Sequence, residues 1–295
     1  MRVQMKITVP ILALVLLMFC RASAEVVSVA VVLNQDQFLP SETLPVAVRI
    51  TNRSGQVLHL GADPAWLTFN VESADGFIVE KKSEVPVLGE FDLGSSEVAT
   101  KRVDLQPYFD LKRQGHYRVT ATLRIKAWNA QISSPPVGFD VISGAELWSQ
   151  DFGVPVPPGA TNRTPEIRKY TLEEANYLRK QLRMYVMVSD QSGSRVFKVS
   201  AIGPMVSFSQ PEEQLDQFSN LHVIYQSGAR TFTYSVVSPD GKILRQEVYD
   251  YLDTRPRLGL NSAGEIAVIG GVRRVEPDEL PVVKLPDELP PPAKP

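Results

Sequence analysis

Three histidines, His59, His116 and His222, are the side chains of this sequence best suited to act as a general base near neutral pH. Intervals of 57 and 106 residues separate them, so they lack the compact spacing of an H-E-x-x-H metal site. A serine nucleophile would need such a base, but the sequence has neither a G-x-S-x-G elbow nor an S-x-x-K pair. We therefore predict that each histidine either supports the fold or lies on the surface. We predict no catalytic, cofactor-binding or metal-binding residue.

Carboxylates offer a second kind of chemistry, because Glu247, Asp250 and Asp253 lie close together in the sequence. A glycosidase needs two carboxylates roughly 5 to 10 Å apart across a sugar cleft. One hypothesis is therefore an extracytoplasmic carbohydrate-active hydrolase that uses Glu247 and Asp250. The other interpretation is a strand end that carries solvated charges.

The same segment is a candidate binding patch. Tyr249, Tyr251, Arg255 and Arg257 combine aromatic area with guanidinium donors. Protein interfaces are enriched in these residue types. We expect this patch to be the sharpest contact site outside the N-terminal β-domain.

The charge balance bears on the class of partner. The chain has 31 Lys and Arg against 33 Asp and Glu, and it contains neither a G-x-G-x-x-G nor a Walker phosphate-binding motif. Non-specific nucleic-acid binding depends on neutralising phosphates with Lys and Arg. We therefore expect a protein or an envelope polymer as partner, and no nucleic acid.

The first 24 residues have the order of a secretory signal. Arg2 and Lys6 precede an apolar stretch from Ile7 to Phe19, and Ala22-Ser23-Ala24 supplies the small residues of a cleavage site. We predict export to the periplasm or the extracellular space after cleavage near Ala24. An uncleaved anchor and lipidation at Cys20, the one cysteine of the chain, are the alternatives. Cleavage would leave a chain without cysteine, so no disulfide is expected.

Residues 25–150 show the period-two alternation of antiparallel strands separated by turn signals. Apolar residues alternate with polar or small ones at Val46, Val48 and Ile50, and again at Tyr117, Val119, Ala121, Leu123 and Ile125. The stretch Asp110–Val119 resembles the tyrosine corner of immunoglobulin-like domains, since Tyr117 shares its parity with Val119. The resemblance implies an Ig-like antiparallel β-sandwich of the kind found in exported bacterial modules. Its loop Val85-Pro86-Val87-Leu88-Gly89 suggests a further hypothesis, a secreted protease inhibitor.

A Pro-rich stretch at 151–165 predicts a linker to a second domain at 166–275. Thr171-Leu172-Glu173-Glu174 matches a capping box, and apolar residues follow at helical spacing, which predicts one helix. Ala175, Leu178, Leu182 and Tyr185 form that apolar series. Strands with Gly-containing turns follow, which predicts a β-meander with the helix packed on it. The stretch His222–Gly271 resembles β-propeller blades, but about two blades would fit where a propeller needs at least four.

Residues 276–295 form an acidic tail in which seven of 20 residues are proline. Such a composition has too little apolar surface to fold alone, so we predict a disordered or extended tail. Two β modules without a catalytic motif favour a mainly-β, secreted or periplasmic, non-enzymatic binding or scaffold protein. The carbohydrate-active hydrolase and the protease inhibitor remain the alternatives.

Overall fold

The computed structural model describes residues 26–155, 166–178 and 180–275. The predicted signal peptide and tail, and most of the predicted linker, lie outside the described residues. Within the described ranges the chain forms β-strands and two short 3-10 helices, Gln106–Tyr108 and Lys126–Trp128, which confirms the mainly-β class. None of the described residues belongs to a helix long and apolar enough to cross a lipid bilayer.

The strands run through both halves of the chain. The first ten are β1 (Val27–Leu33), β2 (Gln37–Phe38), β3 (Pro45–Asn52), β4 (Leu58–Leu60), β5 (Leu67–Ser73), β6 (Phe91–Leu93), β7 (Val98–Asp104), β8 (Gly115–Ile125), β9 (Ala130–Ser133) and β10 (Val137–Val141). The others are β11 (Ala145–Gly153), β12 (Ile167–Tyr177), β13 (Gln181–Asp190), β14 (Val196–Met205), β15 (Glu212–Leu215), β16 (Leu221–Gln226), β17 (Thr231–Val237), β18 (Ile243–Asp250), β19 (Arg257–Leu260), β20 (Ile266–Ile269) and β21 (Val272–Arg273).

Two compact units share the described residues. Unit 1 takes 26–34, 45–109 and 117–138, and unit 2 takes 35–44, 110–116 and 139–275. In unit 1, β3 pairs antiparallel with β1 and β7, and β8 pairs antiparallel with β5 and β9. Buried and exposed residues alternate along the strands of each sheet, because successive side chains point to opposite faces and only one face is covered. Tyr117 and Val119 lie buried on the same face of β8, as their shared parity predicts.

Unit 2 is layered around two antiparallel sheets. One has the order β11-β12-β13-β14, and the other, here the central sheet, has the order β15-β16-β17-β18-β21. Their facing sides share one apolar core that includes Tyr170, Leu172, Val186, Val223 and Tyr225. The hairpin β19–β20 covers the other side of the central sheet through Leu258, Ile266 and Val268.

The predicted meander is confirmed, because β15 to β18 pair in chain order, each antiparallel to the next. The predicted helix is wrong. Thr171–Glu174 lie inside β12, and Leu182 and Tyr185 lie inside β13. Both strands are internal to their sheet, and both of their faces are covered. Val186 packs into the core toward the central sheet, while its neighbour Tyr185 packs with Ala175 and Leu39 on the opposite face. Apolar residues on both faces hide the period of two that identifies a strand.

The predicted linker also begins with a strand, since residues 151–153 complete β11. Asp151, Phe152 and Gly153 pair with Lys169, Arg168 and Ile167 of β12. The Phe152 ring stacks on Tyr170 with centroids 4.2 Å apart, so the start of this segment is part of the unit 2 core.

Candidate functional site

Unit 2 contains a cleft of about 740 Å³. It lies on the side of the central sheet that the β19–β20 hairpin covers. Its floor includes His222 of β16 and Val236 of β17, and the hairpin contributes Leu260 and Ile266. We call it the His222 cleft. A concave, partly apolar surface with a few polar groups is the usual form of a binding site.

A tight turn between β15 and β16 builds one wall of this cleft. The Asp216 carboxylate accepts hydrogen bonds at 2.8 Å from the backbone N–H groups of Phe218 and Asn220, and another at 2.8 Å from the Asn220 side chain. Burial opposes ionisation of Asp216, but the hydrogen bonds from Asn220, His222 and Phe218 together lower its pKa. The turn thus fixes a negative charge beside His222 and holds the Phe218 ring outward, with 61% of that residue exposed.

His222 is held between Asp216 and Tyr234. Its Nε2 lies 3.4 Å from the Asp216 carboxylate, and its Nδ1 lies 2.7 Å from the Tyr234 hydroxyl. Burial lowers the pKa of His222, and Arg245 adds to that effect against the opposing influence of Asp216. A neutral ring can donate from Nε2 to the carboxylate and accept the Tyr234 proton at Nδ1, which satisfies both nitrogens. The histidine therefore links the β15–β16 turn to Tyr234 of β17.

The opposite wall comes from β18, where a register shift breaks the strand alternation. Val236 pairs with Arg245 and Val237 pairs with Ile243, so Leu244 is an extra residue on β18. Leu244 and Arg245 consequently both line the cleft although they are adjacent in sequence. Leu244 is 53% exposed, and Leu260 across the cleft is 64% exposed.

The cleft therefore combines an apolar rim with a small number of charges. Phe218, Leu244 and Leu260 expose apolar area in the cleft, and its charged lining residues are Arg245, Asp216 and, on the hairpin side, Glu265. The described lining contains no serine, threonine or cysteine, and the Tyr234 hydroxyl lies under the floor with 1% of that residue exposed. Burial also raises the pKa of Tyr234, which disfavours a tyrosinate. This arrangement is suited to holding a ligand with an apolar group next to an acidic group.

The residues of the predicted binding patch lie in different environments. Tyr249 faces the core beside Tyr234, with ring centroids 6.5 Å apart, and its hydroxyl donates to Glu247 at 2.9 Å. Burial, and after it Glu247, raises the pKa of Tyr249 to about 12. Tyr251 is exposed beyond the strand end, where the Arg230 guanidinium lies 5.7 Å from its ring centroid.

The two arginines of the patch are both exposed but differ in surroundings. Arg255 lies 5.4 Å from the Phe232 ring centroid, and Phe232 is the cross-strand partner of Tyr249. Arg257 begins β19, on the opposite side from the inward-facing Leu258. Tyr249 and Arg255 are thus brought near a common ring, whereas Arg257 belongs to the outer face of the hairpin.

The carboxylates of the hydrolase hypothesis are not brought together. Glu247 and Asp250 are three residues apart on β18, so their side chains point to opposite faces of the sheet. Arg273 lies 3.2 Å from Glu247, and Arg274 lies 2.6 Å from Asp250. Asp253 follows the strand in an exposed turn. Each carboxylate therefore has different surroundings, and Glu247 and Asp250 do not face each other across a common sugar cleft.

The other two histidines also have carboxylate partners. His59 contacts Asp92 across the β4–β6 pair, and His116 Nδ1 lies 2.6 Å from Asp140. Both histidine side chains are largely exposed. Over the described residues, no group of three His, Cys, Asp or Glu side chains has a metal-binding arrangement.

The loop of the inhibitor hypothesis in unit 1 is anchored at two residues and presents a third. Val85 and Val87 are each 5% exposed, and the Trp66 indole donates to the Val87 carbonyl at 2.8 Å. Leu88 between this anchor and Gly89 is 80% exposed. The loop therefore holds one apolar side chain out in solvent on a fixed base.

Sequence reasoning noted His222 but missed Asp216, Phe218, Leu244 and Arg245. The signal for the turn was present, since an Asp followed by Ser and Asn is typical of side-chain-stabilised turns. The bulge that turns Leu244 into the cleft leaves no local signal, because it depends on how β17 and β18 pair.

No protein-family model matches the chain, and no curated protein matches it. Among solved structures, it is similar to the sporulation control protein Spo0M of Bacillus subtilis, with 12% identity and a TM-score of 0.29. The alignment covers 68% of this chain and 79% of that protein. A similarity at this level carries no information on function.

Proposed function

We propose that the protein is an exported, non-enzymatic binding or scaffold protein that takes a protein or envelope-polymer partner in the His222 cleft. The observation that supports this proposal is that three exposed apolar residues, Phe218, Leu244 and Leu260, line the same cleft as one cation, Arg245. Isolated apolar residues on a surface need no explanation, but several around one concave site are typical of contact sites.

The N-terminal module fits this role as an Ig-like sandwich. Its support is the pair of antiparallel sheets with alternating burial and the buried Tyr117 and Val119 on β8. Such a module presents sheet edges and loops without supplying chemistry of its own. Export is proposed from the signal-like residues 1–24, and sequencing the N-terminus of the protein recovered from its native envelope should give Glu25 as the first residue.

The partner proposal is tested with two charge-matched variants. The full-length chain, Arg245→Glu and Arg257→Glu are exposed to the native envelope fraction, cross-linked, and compared for saturable capture of the same partner. Arg245 lines the cleft and Arg257 lies on the outer face of the hairpin. We expect capture to fall at least tenfold for Arg245→Glu and to stay within twofold for Arg257→Glu. Equal capture by both variants would remove the cleft as the contact site.

A protease inhibitor remains a second candidate because Leu88 stands exposed on a fixed base. Its test is incubation of the chain with a panel of serine proteases. Inhibition that Leu88→Asp abolishes, and that Leu252→Asp leaves unchanged, would support it, since Leu252 is also exposed but lies in unit 2. Full protease activity throughout the panel would count against it.

A further inference from the structure

The charged groups of the His222 cleft are held in two different ways. Asp216 is fixed by its own turn, and the Glu265 carboxylate accepts a hydrogen bond at 3.1 Å from the Asn261 side chain. Arg245 is exposed on the wall formed by β18, and over the described ranges no carboxylate forms an ion pair with it. Its charge also acts on the cleft floor, because burial lowers the pKa of His222 and Arg245 lowers it further. The cleft thus combines two carboxylates held by their own turns with one accessible guanidinium.

The backbone donors of the two turns that line the cleft are directed at acceptors within those turns. The N–H groups that donate to Asp216 are those of Phe218, Ser219 and Asn220. The N–H groups that donate to Asn261 are those of Ala263, Gly264 and Glu265. Phosphates and C-terminal carboxylates are commonly bound by several converging backbone N–H groups, so these turns are poorly suited to them. A side-chain carboxylate needs only the two-pronged guanidinium of one arginine.

The apolar walls and the size of the cleft restrict the ligand further. Leu244 and Leu260 expose aliphatic area on the two sides, and the volume of about 740 Å³ lies within the usual range of small-ligand pockets. Such a volume accommodates a few residues of a peptide. Asp216 and Glu265 on the same lining repel additional negative charge. The ligand that matches these features is a short apolar segment with a single acidic group.

We propose that the His222 cleft binds a short apolar peptide segment of the partner that carries one acidic side chain, with the carboxylate of that side chain paired to Arg245. The inference rests on the proposed function and deepens it, because it names the chemistry of the partner segment. The Asp or Glu of the segment accepts from both prongs of the guanidinium, and its aliphatic neighbours pack on Leu244 and Leu260. The ends of the segment take no part in the contact.

A library of random peptides tests which chemistry the cleft selects. The peptides are fused at their C-termini to a carrier, so no free C-terminal carboxylate is presented. They are selected in parallel on the full-length chain, on Arg245→Glu and on Arg257→Glu. We expect the full-length chain and Arg257→Glu to enrich peptides with one acidic residue among aliphatic ones. Arg245→Glu should enrich such peptides at least tenfold less.

Affinity measurements then test the direct pairing. One selected peptide is synthesised with both ends blocked, and a second version has its acidic residue replaced by the corresponding amide. We expect the amide version, and separately Arg245→Gln, to weaken binding at least tenfold. Because both changes remove the same contact, combining them should weaken binding by no more than a further twofold. Independent losses that multiply would overturn the pairing. Arg257→Gln is the control and should leave the affinity within twofold.

The failure of this inference is distinguishable from the failure of the proposed function. Selected peptides that Leu260→Asp weakens at least tenfold, but that Arg245→Gln does not, would overturn the carboxylate pairing and keep the cleft as the contact site. Selected peptides that neither variant weakens would count against the cleft itself. A library without any enriched peptide, or saturable binding of decanoate alone, would overturn the peptide ligand, while capture from the envelope fraction tests the proposed function separately.

Discussion

Strands β8 and β13 show two ways in which a sequence forms a β-sheet. In β8, Tyr117 and Val119 are buried while Arg118 between them is exposed, so the strand has one dry face and one wet face. In β13, Val186 packs toward the central sheet and Tyr185 packs on the opposite face. The comparison teaches that alternation marks a strand only where water covers one of its faces.

The largest expected effect comes from truncating Tyr185, which is buried on the face of β13 that points away from the central sheet. Tyr185→Ala removes a ring that is 1% exposed and should lower the free energy of unfolding by about 3–5 kcal/mol. Arg118→Ala, on the wet face of β8, should change it by no more than about 0.5 kcal/mol. Urea unfolding measures both. Similar losses from the two variants would show that both strands have the same environment.

A smaller effect tests the polar contacts between the layers of unit 2. The Tyr170 hydroxyl lies 3.1 Å from the carbonyls of Ser219 and Val237, which belong to the central sheet and its turn. Tyr170→Phe keeps the ring on Phe152 but leaves these carbonyls without that donor, so we expect a loss of about 1–2 kcal/mol. Tyr251→Phe, at an exposed position, is the control and should be neutral. Unchanged stability of Tyr170→Phe would mean that the layers are held by apolar packing without this contact.

The buried His222 and the exposed His116 should differ in how they make the free energy of unfolding depend on pH. Burial lowers the pKa of His222, so the unfolded chain binds more protons than the folded chain below the ordinary histidine pKa of 6.5. The free energy of unfolding should therefore fall as the pH drops through and below 6.5, and His222→Gln should reduce that dependence. His116→Gln, on the wet side of β8, should retain it. Identical pH profiles for the unaltered chain and His222→Gln would contradict this assignment.

The smallest expected effect concerns the predicted patch. Arg255→Ala removes a cation that lies 5.4 Å from the Phe232 ring centroid and should cost roughly 0.5–1 kcal/mol. Arg257→Ala, at the exposed start of β19, should be neutral within about 0.5 kcal/mol. Thermal unfolding of both variants checks the difference. Equal stability would make the two arginines equivalent surface charges.

These contrasts also explain how far the sequence predicts the molecule. The meander from β15 to β18 is predictable because Gly-containing turns such as Pro239-Asp240-Gly241 divide short β-rich runs. The strand that contains Thr171 is not predictable from the sequence. Its residues match a capping box, and burial on both faces gives an apolar pattern like that of a helix. The strand position of His222 is predictable from the β-rich run in which it lies. The cleft around it is not predictable, because Arg245, Phe218 and Leu260 meet only after three separate hairpins have formed.

The central claim is that the His222 cleft is the contact site, and a photo-cross-linking amino acid at one of two exposed phenylalanines tests it most directly. Phe218 lines the cleft with 61% of its surface exposed, and Phe208, which is fully exposed, lies outside that lining. With the probe at position 218, irradiation in the native envelope fraction should give one saturable cross-linked product, and the probe at position 208 should give none. A product at 208 with none at 218 would contradict the claim.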